Sequence, residues 1–193
     1  NEISKSEENN IGINSLLAKF SKYIFFTKKK YAYYTAVFGD YDLLKKPNMA
    51  SYKDYEFVCF TDNEKLGEVH KGWKIVYVKD THRDPRRTAK IFKVFNSYFI
   101  NGCNYSIWSD GKNRIINDFV PLIESDNWAD FKIFRHPQRD CIYDEALVCI
   151  IEKKDLREHI EPQLANYIKA AYPKNNGLAN GSLIIRKHKA DSI

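Results

Sequence analysis

The octapeptide Tyr105-Ser106-Ile107-Trp108-Ser109-Asp110-Gly111-Lys112 reads as a buried strand that ends in a carboxylate, a glycine and a lysine. A carboxylate at the mouth of a strand can hold a metal ion or a sugar hydroxyl, and an adjacent ammonium can neutralise phosphate. Asp110 and Lys112 together point to a sugar-nucleotide site, and the competing reading is an Asp-Gly turn with no chemistry of its own. Two further strand ends carry residues of the same kind. Phe38-Gly39-Asp40-Tyr41-Asp42 closes one apolar run, with Tyr41 offering a ring on which a base can stack. Cys59-Phe60-Thr61-Asp62-Asn63 closes another, where Asp62 can accept a hydrogen bond from a pyrimidine ring nitrogen. Each is common turn composition by itself; their recurrence after successive strands favours one nucleotide framed by neighbouring edges.

Three other segments concentrate polar groups. Asp84 can cap, and Pro85 fits the first position of, a helix over 85–99. Arg86, Lys90 and Lys93 follow at steps of four and three on one face, which either carries a diphosphate or is simply solvated. Ile91, Phe95, Tyr98 and Phe99 take the core side. After another strand, Arg135-His136-Pro137-Gln138-Arg139-Asp140 leads into a helix with Glu145. His136 is a candidate contact to acceptor or phosphate. Asp140 or Glu145 could take a proton from an acceptor hydroxyl, although Asp140 reads better as a helix cap. Asn180 and Gly181, ahead of Leu183-Ile184-Ile185, either approach a sugar closely or form a hairpin turn.

The elements that must position these groups alternate in type. Strand-like runs occupy 31–38, 55–61, 73–78, 103–108, 131–134 and 182–186, and helical patterns occupy 85–99, 140–153 and 156–172. Alternation predicts an α/β layer fold with a mainly parallel sheet, in which binding loops gather at the carboxyl ends of the strands. Residues 1–30 read as a polar and then helix-compatible extension, and 31–193 as one domain. A length of 193 residues with 44% hydrophobic content suits a single core. The net charge of +6 and pI near 9.0 suit an anionic partner. Nothing resembles a zinc or aromatic nucleic-acid signature, so nucleic acid is not expected. Lys28-Lys29-Lys30 reads as a solvated lead into the first long strand. The four cysteines lack a C-x-x-C pair and suit reduced core thiols in a cytoplasmic setting. There is no apolar run of transmembrane length and no signal-peptide pattern, which leaves peripheral membrane attachment open. Starting at Asn1 and ending without a closing signal, the chain reads as part of a longer protein.

Taken in order, the segments 34–42, 84–87, 107–112, 134–137, 139–141 and 175–177 resemble a glycosyltransferase-like family. That group was long catalogued as a domain of unknown function; it has bacterial members and plant members linked to mucilage and cell-wall polysaccharides. The resemblance covers roughly Tyr31 to His188. It implies a GT-A-like fold, a Rossmann-like three-layer sandwich with a mainly parallel mixed central sheet. It also implies transfer of a sugar from a nucleotide-sugar donor to a glycan acceptor in surface or capsular polysaccharide biosynthesis. The implied catalytic residues are Asp110, Lys112 and His136. The implied donor-binding residues are Phe38, Gly39, Tyr41, Asp62, Arg86, Lys90, Lys93, Asn180 and Gly181. The usual GT-A fold binds Mn²⁺ or Mg²⁺ through an Asp-x-Asp motif, of which only Asp110 matches here, because residue 112 is lysine. Two routes stay open: Asp110 as a metal ligand completed by another acid or histidine, or a metal-free site where Lys112 acts with Arg86, Lys90 or Lys93. The segment 179–185 is also similar, in a different residue order, to the Asn-Ala-Gly segment of glycogenin-like retaining transferases. The rival readings are a noncatalytic glycan- or nucleotide-binding module of a larger polysaccharide synthase, and a basic scaffold that binds anionic lipid or polymer.

Overall fold

The computed structural model describes residues 14–15, 17–39, 42–48, 53–79, 84–125 and 129–188. By its internal contacts the chain divides into two units, Asn1–Lys132 with Ser182–Ile193, and Ile133–Gly181. The protein is α/β, with a seven-stranded mixed sheet flanked by helices, compatible with a Rossmann-like arrangement.

The strands are β1 (Phe25–Phe26), β2 (Tyr31–Val37), β3 (Tyr55–Thr61), β4 (Val69–His70), β5 (Trp73–Tyr77), β6 (Ile100–Asn101), β7 (Tyr105–Ser109), β8 (Phe131–Arg135) and β9 (Ala179–Lys187). The large sheet runs β4-β5-β3-β2-β7-β9-β8, and β1 pairs with β6 in a separate parallel ribbon. The pairings β5-β3, β3-β2 and β2-β7 are parallel, whereas β4 and β9 run antiparallel to β5 and β7. The central strands are buried on both faces, which is why β2 reads as an almost unbroken apolar and aromatic run. One face carries Tyr31, Tyr33, Phe57 and Ile107, with Leu44, Ile115 and Ile123 packed in the same cluster. On the other face Phe60 stacks on Phe92 with ring centres 4.3 Å apart, and Phe92 meets Phe99 at 4.6 Å.

Helix α1 (Pro85–Val94) starts as expected: the Asp84 side chain accepts the Arg86 N–H at 2.9 Å, and Pro85 opens the helix. The helix expected over 85–99 is broken, however. Phe95 leaves helical geometry at φ −93°, ψ 38°, and a separate short turn α2 (Asn96–Phe99) follows. Asn96 is buried and donates its Nδ2 to Ser106 Oγ at 2.6 Å, a bond across to the sheet. The core side is consequently Thr88, Phe92, Asn96 and Phe99, while Ile91, Phe95 and Tyr98 are half-buried. Burial raises the Asp84 pKa, and the side-chain and backbone bonds to Arg86 outweigh it, holding the carboxyl below its ordinary value. Asp84→Ala is expected to cost about 1 kcal/mol. Because the folded pKa is depressed, this contribution is present above the ordinary Asp value of ~3.9 and lost as pH falls through the lowered one. Urea unfolding of wild type and variant across the acid range checks both the size and the sign.

Helix α3 (Val120–Ile123) completes the first unit. In the second, α4 (Ile142–Ile151) and α5 (Arg157–Lys169) pack together, and the Tyr143 hydroxyl of α4 donates to the carbonyl of Tyr172, just past α5, at 2.7 Å. Asp140 is not the cap of α4. Cys141 holds that position without a side-chain bond, and the Asp140 carboxylate lies 4.0 Å from Arg135. Asn180 and Gly181 form part of strand β9, which replaces the hairpin-turn reading. Lys28, Lys29 and Lys30 are all exposed, as a solvated lead-in should be. The cysteines are free thiols, and burial pushes Cys59 up to about 12. Among the described residues no helix is long and apolar enough to cross a membrane.

Candidate functional site

The register that sets Val37 beside Thr61 and Tyr34 beside Trp108 brings the carboxyl ends of β2, β3 and β7 to one edge of the first unit. Chemistry in open α/β sheets gathers at such an edge. At the end of β2, the Gly39 N–H donates to both oxygens of Asp62 at 3.0 and 3.1 Å. Pro85 packs so tightly on Gly39 that an added Cβ would lie 2.6 Å from its ring. The β2 and β3 ends and the start of α1 therefore meet at one point.

At the end of β7, Asp110 is held by both neighbours and distant segments. Its Oδ1 accepts the Trp108 indole N–H at 3.0 Å and faces the Lys93 Nζ at 3.4 Å. Lys93 also sits over the Trp108 ring, 5.5 Å from its centre. The Asp110 N–H donates to the Ser182 carbonyl at 3.0 Å, and Asn113 Nδ2 reaches the same carbonyl at 3.1 Å. Antiparallel β9 thus fixes the Asp110 turn, Ser182 being the residue after Gly181. Gly111 is there because nothing larger fits. A Cβ at that position would lie 2.6 Å from Val37 Cγ2 and 3.1 Å from an Asp42 oxygen. A second carboxylate, Asp42, is therefore seated against the Asp-Gly turn.

Of the residues singled out from the sequence, the structure brings Gly39, Asp62, Lys93 and Asp110 to this edge. Lys112 is exposed just past the turn, and its carbonyl accepts the Lys45 Nζ. Arg86 is turned onto Asp84, with Nε and Nη2 each 3.3 Å from its oxygens. Lys90 is exposed on α1, one turn before Lys93. Phe38 is a core ring, 2% exposed and stacked on Phe92, so it offers no face to a base. Tyr41 lies outside the described residues. His136, Asn180 and Gly181 belong to the second unit. There the His136 Nδ1 accepts the Gln138 and Arg139 N–H groups at 3.3 and 3.1 Å, and Arg139 is paired with Glu145.

Sequence reasoning missed a crevice on the aromatic face of the sheet, beside the Asp110 turn. Tyr33, Thr35, Trp73, Ser109 and Asn113 line it. It holds essentially no enclosed space for even a water molecule, so it is a surface crease and not a small-molecule pocket. Thr35 is 1% exposed and its hydroxyl finds no partner among the described residues, while burial, partly offset by Ser109, pushes the Tyr33 hydroxyl up to about 12. Segment 42–48 roofs this region through the Trp73 indole bond to the Lys45 carbonyl at 2.8 Å and the Asn48 N–H bond to the Ile115 carbonyl at 2.9 Å.

The described residues do not build a cage for a divalent cation. No group of three His, Cys, Asp or Glu side chains converges among the described residues to make an all-protein cage, whereas a magnesium-type ion needs only one or two carboxylates beside substrate phosphates. Asp110 Oδ1 is already committed to an indole N–H and an ammonium.

A family model described as "TOD1/MUCI70, glycosyltransferase-like domain" matches residues 17–192. The Arabidopsis thaliana protein named "Probable hexosyltransferase MUCI70" is 27% identical over 180 residues, an alignment covering 80% of this chain and 31% of that protein. The chain thus spans about a third of the length of the curated relative it matches. No solved structure matches it.

Proposed function

The chain belongs to the TOD1/MUCI70 glycosyltransferase-like domain family, and from that membership we propose that it is a GT-A-like domain that transfers a hexose from a nucleoside diphosphate to a glycan acceptor. The observation that carries this reading is the placement of the Asp110–Lys93 pair and the Gly39–Asp62 contact at the carboxyl ends of three neighbouring parallel strands. In the transfer, the bond between the anomeric carbon and the diphosphate oxygen breaks. The acceptor hydroxyl oxygen bonds to that carbon, and its proton passes to a base. Charge builds on the departing diphosphate, so fixed positive groups aimed at it lower the barrier. Lys93 is such a group, and exposed Lys112 adds a second. Asp110 Oδ2, which accepts no hydrogen bond among the described residues, is free to receive a sugar hydroxyl. Asp62 stands at the neighbouring edge for the base. The acceptor is a polysaccharide under assembly, reached from the cytoplasm or from the membrane surface.

A panel of nucleotide sugars with detection of released nucleoside diphosphate tests the reading. One donor is expected to release its nucleotide, slowly with water and faster with an oligosaccharide acceptor. A protein that binds oligosaccharide but no nucleotide sugar, with or without Mn²⁺, is a noncatalytic glycan-binding module instead.

A further inference from the structure

Resting on that transfer reading, we propose that Lys93 is the resident cation of the donor site and that the protein binds the nucleoside diphosphate without a divalent metal. Lys93 Nζ lies 3.4 Å from Asp110 Oδ1, with side-chain exposures of only 22% and 31%. The same oxygen takes the Trp108 indole N–H at 3.0 Å, and the Trp108 ring lies 5.5 Å beneath the ammonium. The carboxylate and the ring face therefore form a seat for a monovalent cation, with the indole N–H orienting the carboxylate, and Lys93 fills it. A dication at this oxygen would have to evict an ammonium and then tolerate its like charge nearby.

The seat is rigid at its base. The Lys93 carbonyl accepts Arg186 Nη2 at 3.0 Å, and Arg186 Nη1 also donates to the buried Tyr34 hydroxyl at 3.0 Å. The preceding residue, Phe92, is fully buried. An ammonium has three donors; one is turned to Asp110, which leaves others for phosphate oxygens at the strand edge. Lys90, exposed one turn earlier on α1, extends the positive stripe toward the rest of the diphosphate.

Calorimetric titration of the full-length protein with ADP, CDP, GDP and UDP, in excess EDTA and again in excess MnCl₂, tests this. At least one diphosphate is expected to bind in EDTA, with Mn²⁺ changing its affinity by less than about threefold, or ~0.7 kcal/mol. Lys93→Met is expected to weaken that binding roughly 10- to 100-fold in EDTA, and Lys93→Arg to restore most of it. A thermal unfolding midpoint for Lys93→Met close to wild type separates lost affinity from lost structure; if it drops sharply, the comparison between EDTA and MnCl₂ in the wild type decides alone. Binding that appears only with Mn²⁺, or rises more than about tenfold with it, overturns the metal-free site and leaves sugar transfer standing. Wild-type affinity in folded Lys93→Met removes Lys93 from the site. Absence of binding under both conditions removes the transfer reading, and the role of Lys93 with it.

Discussion

Asp110→Ala is expected to lower donor turnover by at least about 100-fold, the loss typical of deleting one charged or hydrogen-bonding group aimed at a reacting centre. Asp110→Asn is expected to fall nearly as far. The amide keeps an oxygen for the Trp108 indole N–H and the shape of the turn, but it surrenders the charge that balances Lys93. Binding of the product diphosphate should behave in the opposite sense. With its counterion gone, Lys93 has its full charge to give to phosphate, so affinity for the free diphosphate is retained or increased while the sugar is no longer held. A metal-ligand role for Asp110 forecasts loss of both. The measurement is nucleotide release alongside calorimetric titration, with unfolding midpoints as the control. Turnover in Asp110→Asn within about threefold of wild type would take Asp110 out of the reaction.

Gly102→Ala should be the most damaging small change to the fold. Gly102 sits at φ +82°, and a Cβ there would lie 2.2 Å from the Thr27 carbonyl oxygen and 3.3 Å from its carbon. The obstacle is backbone, so no side-chain rotation relieves it. Thr27 cannot withdraw, because its N–H is bonded to the Asn101 carbonyl at 3.0 Å and β1 is paired with β6. Left-handed strain of roughly 1–2 kcal/mol adds to roughly 1–3 kcal/mol for forcing the two strands apart. Gly177→Ala is the matched control, since Gly177 has the same φ of +82° and open space around it. It should show the conformational cost alone. Urea midpoints at constant slope measure both, and equal losses in the two variants would rule out the Thr27 contact as the cause.

The central strands β2, β3 and β7 were readable because they are buried on both faces, whereas the two-residue strands β1, β4 and β6 were not read at all. β3 has the bounds that its aromatic and β-branched run predicts, and β2 ends within one residue. Asp84 and Pro85 announced the start of α1 through local chemistry alone. The break at Phe95 was not readable, because the bond from Asn96 to Ser106 that accompanies it joins a helix to a strand. The start of β9 was missed for a similar reason: Asn180-Gly181 has turn composition, and sheet pairing overrides it. At the candidate site, the residue types of Asp110 and Lys93 marked both in advance, on separate elements. Their contact depends on how α1 lies over β2, next to β7 in the sheet. The seating of Asp42 against Gly111, the Lys45 bond to the Lys112 carbonyl and the lone Thr35 hydroxyl have no local signature. They arise from folding segment 42–48 over the turn. Asp140 shows the opposite failure, a good capping residue placed one position too early.

The carbonyl that pins the Asp110 turn belongs to Ser182, 69 positions beyond Asn113, which shares it. Chains emerge from the ribosome amino end first and begin to fold as they appear. The parallel strands β5, β3, β2 and β7 can therefore assemble while the turn is still untethered, and its geometry is settled only when the stretch 133–181 has been translated and β9 has docked beside β7. A translational stall within that stretch would leave a nascent chain with most of its sheet and an unanchored Asp110 turn.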